Sequence, residues 1–190
     1  MKRKQSKYGL TLVEILVAVV IIAILAAGLY SVGNYLETQS RIRLTKSTIE
    51  ILAGALEQYH DFNDSFPFIA DPNKTYGITD LQSDVGGSVV AADYNDIYAS
   101  SEALYYLLNK FPAGRKIVGS INRSLLTNKG DNGKEYLIRI SGQDYPLIHI
   151  IDPWKYPLRY TYKQGNNFPV ITSAGPDKIF GDDDDISSRK

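Results

Sequence analysis

The chain has 190 residues, with 21 basic side chains, 21 acidic side chains and no cysteine. Without cysteine, neither a disulfide nor a thiolate metal site can form. A net charge of zero is unlike the basic surface that is typical of nucleic-acid-binding proteins. The length is typical of one globular domain accompanied by a membrane anchor.

An apolar segment over residues 10–30 contains Thr11 and Glu14 as its polar members. A helix needs about 20 apolar residues to cross a bilayer, so this segment predicts a transmembrane helix that also serves assembly. A carboxylate at membrane depth costs about 2.5 kcal/mol or more and usually has a partner. We therefore expect a specific role for Glu14.

Residues 1–9 form a basic leader with four basic side chains and no acidic one. This bias predicts that the N-terminus stays in the cytoplasm while the bulk of the chain crosses the membrane. An ordinary secretory signal is cut after its apolar region, but here the small residue Gly9 precedes that region. Cleavage after Gly9 would give Leu10 a free amine one helical turn from Glu14. The alternative is a plain membrane anchor with an incidental glutamate.

The sequence GLTLVE over residues 9–14 resembles the prepilin processing motif of type IV pilins and type II secretion pseudopilins. The resemblance implies that a prepilin peptidase cleaves after Gly9 and methylates the amine of Leu10. It also implies that Glu14 helps to pair with the N-terminus of a neighbouring subunit in a helical filament. Leu10 stands where the family commonly has phenylalanine, and Ser31 where many members have a helix-kinking proline.

The helix is predicted to continue through residues 31–62, because apolar residues recur at helical spacing and no proline occurs between residues 10 and 66. This predicts one helix of roughly 50 residues, about 75 Å long. The alternative is a separate amphipathic helix after a loop at residues 31–34. The turn formers of residues 62–67, FNDSFP, predict the end of the helix.

Residues 68–134 show no sustained periodicity and are interpreted as a variable region. Residues 68–100 are expected to be loop with a short strand over residues 88–92, and residues 101–110 a helix. Residues 113–134 are mixed in character and contain a turn over residues 129–134.

Residues 135–190 have the composition of strands separated by turn formers. The predicted fold class is α+β, with a long N-terminal helix packed on a small C-terminal antiparallel sheet, as in pilins. Residues 165–167 are expected to form a hairpin turn. The four predicted strands cover residues 136–140, 147–151, 158–162 and 169–172.

Five aspartates are concentrated near the C-terminus, at Asp177 and residues 182–185. Carboxylates this close repel one another unless a hard cation lies among them, and Ca²⁺ is bound by carboxylates, carbonyls and water. An acidic run is also typical of a solvated tail, so both interpretations stay open on composition alone.

The segments DPW, YPLRYTY, PVITSAGPD and GDDDDI, within residues 152–186, are similar to the C-terminal region of major type II secretion pseudopilins. In that family this loop binds calcium. The resemblance implies carboxylate ligands from Asp177, Asp184 and Asp185, a further oxygen from Asp182, and carbonyl ligands from Ala174 and Ile179. The chain departs from the family at Lys155 and Lys178, where glycine is frequent.

The sequence contains no P-loop, nucleophile elbow or dinucleotide fingerprint, and its two histidines lack metal-ligand spacing, so no enzymatic activity is expected. His60 and His149 are predicted to be packing residues. The resemblance implies a structural subunit of a type II secretion pseudopilus. The alternative is a type IV pilin-like subunit for adhesion or DNA uptake.

The same resemblance implies the partners of the chain and its location. The partners are other copies in a helical filament, a prepilin peptidase, an inner-membrane secretion platform and minor pseudopilins. We expect no nucleic-acid partner, since removal of residues 1–9 would leave a net charge of about −4. The location is the bacterial inner membrane, crossed once, with residues 31–190 exported to the periplasm.

Overall fold

The computed structural model describes residues 11–189 apart from residues 69, 72, 92, 164, 166 and 167, and of residues 27–31 it describes the backbone. The helices are α1 Leu12–Asn63, α2 Ile78–Val85, α3 Ala99–Lys110 and α4 Pro112–Val118. The strands are β1 Ser88–Val89, β2 Leu126–Thr127, β3 Leu137–Ile140, β4 Gln143–Pro146, β5 His149–Ile150, β6 Arg159–Thr161, β7 Val170–Ser173 and β8 Ile186–Ser187. Gly9 and Leu10, the predicted processing site, lie outside the described residues.

Helix α1 is continuous over 52 residues, which confirms the predicted single helix and excludes the alternative break at residues 31–34. The helix ends at a C-terminal cap formed by Asp64. Asp64 has a positive φ of 53°, and its amide donates to the His60 carbonyl at 2.7 Å. This left-handed residue after the last turn satisfies a carbonyl that the helix itself leaves unpaired.

The chain divides into two compact units, one up to Ser40 and one over Arg41–Lys190. In the first unit the described residues are helical from Leu12, and large apolar side chains are widely exposed, with Leu12 81%, Ile22 64% and Leu25 62% accessible. Within the described residues, no helix contains an apolar stretch that meets the requirement for crossing a bilayer. The transmembrane helix predicted over residues 10–30 is therefore not confirmed.

The second unit has its own hydrophobic core. One face of the C-terminal half of α1 contributes Leu52 and Leu56, and α3 contributes Leu104 and Leu108, all of them buried. Strand residues complete the core from the other elements: Ile138, Ile150, Tyr160 and Ile171. The apolar residues whose spacing predicted the C-terminal half of α1 are therefore the residues on its buried face.

The strands form three small antiparallel sheets rather than one. Their orders are β1-β3-β4, β2-β5 and β6-β7-β8. The fold class α+β with a long N-terminal helix is confirmed, but the single sheet is corrected to three. The strands are only two to four residues long. Each strand therefore offers few backbone hydrogen bonds, and the strands pair in small separate sheets. Strands β4 and β8 were not predicted, because their compositions are rich in polar residues.

Residues 68–134 contain more helix than expected, because α2 lies within the predicted loop over residues 68–100 and α4 was not predicted. They contain α2, α3 and α4 together with two short 3-10 helices, Asp96–Tyr98 and Arg123–Leu125. Helix α3 begins at Ala99, two residues earlier than predicted, and its first turns are buried on nearly every side. The predicted helix over residues 101–110 is therefore confirmed, and only its first two residues, which have no one-sided apolar pattern, were missed.

Burial extends to charged groups of this region. Glu102 and His149 are both inaccessible to solvent, and His149 Nδ1 lies 3.3 Å from Glu102 Oε1. The hydroxyl of Tyr94 donates to Glu102 Oε2 at 2.5 Å, and burial raises the pKa of Glu102. His149 is buried as expected, although its buried acidic neighbour was not predicted.

Candidate functional site

The first candidate site is the start of α1, where Thr11 and Glu14 bond to each other reciprocally. The Thr11 amide and hydroxyl donate to Glu14 Oε2 at 2.7 and 2.8 Å, and the Glu14 amide donates to Thr11 Oγ1 at 3.3 Å. This is a capping box, in which a threonine at the N-cap and a glutamate three residues later satisfy free amides of the first turn. The T-x-x-E spacing is visible in the sequence, but its capping role was missed.

The second candidate site is the acidic loop, defined as residues 174–185, which connects β7 to β8. The two strands pair directly, with Ser173 opposite Ile186, so the ends of the loop are held together. The loop contains three residues with positive φ, at Gly175, Lys178 and Gly181. Residues with a positive φ are typical of tight turns. Three of them within one short segment make this loop compact.

Three of the predicted calcium ligands lie together in this loop. One carboxylate oxygen from each of Asp177, Asp182 and Asp184 lies within 4.8 Å of the others. Asp183, which is adjacent in sequence, is not in this cluster. The fold of the loop therefore brings Asp182 and Asp184 of the acidic run close to Asp177 and leaves Asp183 outside the cluster.

The other predicted ligands lie nearby in different roles. Asp185 Oδ2 accepts a hydrogen bond from the Gly181 amide at 2.8 Å, while its Oδ1 is buried and has no hydrogen-bond partner among the described residues. The Ile179 amide donates to Asp177 Oδ1 at 2.8 Å, and the Ile179 side chain is exposed. Ala174 is fully buried at the start of the loop.

Gly175 is required by the close approach of Asp184. A Cβ at this position would lie 2.6 Å from the Asp184 carbonyl oxygen and 3.0 Å from its Oδ2. Its φ of 66° is also one that side chains rarely adopt. Any larger residue would therefore displace Asp184 from the carboxylate cluster.

Asp152 fixes the start of the Asp-Pro-Trp turn and ties it to β7. Its Oδ1 accepts the amides of Trp154 and Tyr156, both at 2.9 Å. Its Oδ2 accepts the Ser173 hydroxyl at 2.7 Å, and Ser173 Oγ in turn accepts the Gly175 amide at 3.2 Å. Burial raises the pKa of Asp152, against the lowering effect of these bonds and of Lys178. One buried carboxylate thus connects the Asp-Pro-Trp turn to the start of the acidic loop.

Lys155 and Lys178 both occur where the backbone favours glycine. Lys155 has a φ of 69° and Lys178 a φ of 64°. The left-handed region costs a residue with a side chain about 1–2 kcal/mol. This cost explains why glycine is frequent at these two positions in the pseudopilins that the sequence resembles. In this chain, both lysines have a strained backbone.

Residues 4–30 match the family described as Prokaryotic N-terminal methylation motif. The match supports a type IV pilin-like protein. It includes both the predicted cleavage site and Glu14. No curated protein matches the chain, and no solved structure matches it.

The Asp152 network gives a prediction for stability. Asp152→Ala leaves the Ser173 hydroxyl and two amides without their acceptor, so we expect the free energy of unfolding to fall by about 3 kcal/mol. The measurement is urea denaturation of a fragment over Arg41–Lys190, which contains the whole core. Asp144→Ala is the matched control, because its exposed pair with Arg139 should contribute about 1 kcal/mol or less. Equal losses from the two variants would contradict the role of Asp152.

Proposed function

We propose that the chain is a structural subunit of a type II secretion pseudopilus, which polymerises through its N-terminal helix and supports protein export across the outer membrane. The observation that carries the proposal is the methylation motif at residues 4–30, which supports a pilin-like subunit. The assignment to secretion draws on the acidic loop, whose sequence resembles that of major pseudopilins and whose carboxylates cluster as a cation site requires. In this role the chain is not an enzyme.

In the proposed assembly, the exposed apolar side chains of α1 are covered by the helices of neighbouring copies. Burying one valine, leucine or isoleucine gains about 1.5–3 kcal/mol. Before assembly, the same surface would hold the subunit in the bacterial inner membrane, with the N-terminus in the cytoplasm and Arg41–Lys190 in the periplasm. The assembly would be nucleated by a secretion platform and minor pseudopilins.

Glu14 would align neighbouring helices in the proposed assembly, because it is the charged group in an otherwise apolar surface. In the isolated chain its Oε2 accepts from Thr11, so the carboxylate is held at the first turn of α1. Cleavage after Gly9 would create an amine on Leu10, and the Glu14 of a neighbour would neutralise it. In apolar surroundings, a pair of opposite charges is strongly favoured over two isolated charges. This pairing would fix the axial offset between neighbouring helices.

We further propose that the acidic loop holds Ca²⁺. The residues present fit the ion: three carboxylates converge, and the buried Asp185 Oδ1 has no hydrogen-bond partner among the described residues. Asp177, Asp182 and Asp184 would provide the cluster, and Asp185, Ala174 and Ile179 would add oxygens. The ion would supply positive charge to neutralise carboxylates that otherwise repel, and this would hold the loop against β7 and β8.

Processing is predicted to occur between Gly9 and Leu10. Gly9→Ala should slow cleavage, because the added methyl group enlarges the residue at the cut. Mass spectrometry of the membrane-extracted protein should show a chain that begins at a methylated Leu10. Gly33→Ala is the control, since a Cβ there meets nothing within 4 Å, and it should be processed normally. A mature chain that retains residues 1–9 would contradict the proposal.

Glu14→Leu is predicted to reduce filament formation without reducing membrane insertion. The substitution removes the partner of the neighbour's amine but also removes the cost of a carboxylate in lipid, about 2.5 kcal/mol. The measurement is the filament fraction sheared from cells that carry a complete assembly system, beside the membrane-bound amount. Thr11→Ala is the control, because it breaks the capping box and keeps the charge. Normal filaments from Glu14→Leu would refute the assembly role.

Calcium is predicted to raise the melting temperature of the Arg41–Lys190 fragment by about 5–10 °C at a hundredfold excess over Kd. Magnesium should do much less, because it requires tight octahedral geometry. Asp184→Ala should abolish the calcium effect, whereas Asp183→Ala, which lies outside the cluster, should preserve it. Equal melting temperatures in calcium and in chelator would show that the acidic run is a solvated loop.

A further inference from the structure

A groove of about 460 Å³ lies in the Arg41–Lys190 unit, and no residue of the acidic loop lines it. Its lining comes from Tyr98, from parts of residues 123–131 and from parts of residues 149–155. A volume of roughly 300–1,000 Å³ is typical of grooves that hold a small molecule. Neither the methylation motif nor the proposed calcium site uses these residues.

The charged groups at the groove are mainly basic. Arg123, Lys129 and Lys155 line it and are exposed, and none of the three forms an ion pair in the described part of the chain. Asp131 is the acidic side chain among the described lining residues, and it lies near Tyr98, where it adds to the effect of burial in raising the pKa of the hydroxyl. The groove therefore has an excess of positive charge, with three basic side chains against one acidic side chain.

His149 adds a buried polar group to this lining. Its ring is fully buried, and Nδ1 lies 3.3 Å from Glu102 Oε1. Neither ring nitrogen has a hydrogen-bond partner within the described residues, and Nε2 lies on the edge of the imidazole away from Glu102. A buried polar atom without a partner is unfavourable, so a ligand that accepts a hydrogen bond from Nε2 would relieve it.

Lys155 is placed at the groove at a conformational cost. Its φ of 69° lies in the region that favours glycine, and its amide donates to the Asp152 carbonyl at 3.0 Å. A glycine here would relax the turn but would remove a cation from the groove. The strained lysine is understandable if its ammonium group has a function.

We propose that this groove binds the phosphate group of a small organic phosphate. Arg123, Lys129 and Lys155 neutralise the phosphate, and His149 donates a hydrogen bond from Nε2. Guanidinium matches the paired oxygens of phosphate, and charge-assisted bonds of this kind are the strong ones. The groove has room for an organic group beyond the phosphate itself. The phosphate belongs either to a soluble metabolite or to a lipid headgroup.

The test is calorimetric titration of the full chain in a neutral detergent with two probes. Glycerol 3-phosphate represents a soluble monoester, and glycerophosphoglycerol represents the headgroup of a phospholipid. Saturable binding of either probe supports the proposal, and the tighter probe identifies the source of the phosphate. Adding the tighter probe should also shift the ¹⁵N resonance of His149 Nε2, which a purely structural histidine would not show.

Lys155→Gly is the decisive variant, because it removes the charge and relieves the backbone. We expect binding to weaken about tenfold while the melting temperature stays equal or rises, so unfolding cannot explain the loss. Arg123→Ala should have a similar effect. Lys116→Ala is the matched control, since Lys116 is exposed on α4 and does not line the groove. Absence of saturable binding for both probes, or equal weakening by the control and by Lys155→Gly, would overturn the proposal.

Discussion

The uncovered apolar surface at the beginning of α1 is the constraint on which the proposed assembly depends. Side chains such as Leu12, Ile22 and Leu25 are more than half exposed, and each would gain about 1.5–3 kcal/mol on full burial. The carboxylate of Glu14 costs about 2.5 kcal/mol at membrane depth, so burial of two aliphatic side chains offsets it. In the proposed assembly a glutamate could therefore remain in this surface and specify register, because the apolar neighbours would dominate the free energy.

The Arg41–Lys190 unit is organised by buried carboxylates as well as by its apolar core. Asp152 connects the Asp-Pro-Trp turn to Ser173, and Ser173 is followed directly by the acidic loop. Glu102 performs a comparable role next to His149. A buried acid is favourable only when its hydrogen bonds are complete. The bonds of Asp152 therefore specify one arrangement of the turn and strand around it, whereas Glu102 bonds through Oε2 and leaves Oε1 without a hydrogen-bond partner among the described residues.

The sequence predicted those features that have a local physical signal. The continuous α1 follows from the absence of proline, and the β6–β7 hairpin follows from β-rich segments around turn formers; Asn166 and Asn167 of the predicted turn lie outside the described residues. The convergence of Asp177, Asp182 and Asp184 was predicted from resemblance, although the position of Asp185 Oδ1 was not.

The features that were missed depend on tertiary contacts or on mixed composition. Helix α3 was predicted from residue 101, but its start at Ala99 was missed, because its first turn is rich in polar residues that only tertiary contacts bury. Strand β8 lies at the end of the acidic run, and only its pairing with β7 makes it a strand. The strained Lys155 and Lys178 could not be recognised from residue type, because a positive φ at lysine has no signature in sequence.

The most direct test of the pilin-like assembly is a helical reconstruction by cryo-electron microscopy of filaments from cells that overproduce the chain. We predict a filament whose centre is formed by α1, with the N-terminal amine of each subunit within ion-pair distance of the Glu14 carboxylate of a neighbour. Filaments in which α1 lies at the periphery, or in which Glu14 faces no amine, would contradict it.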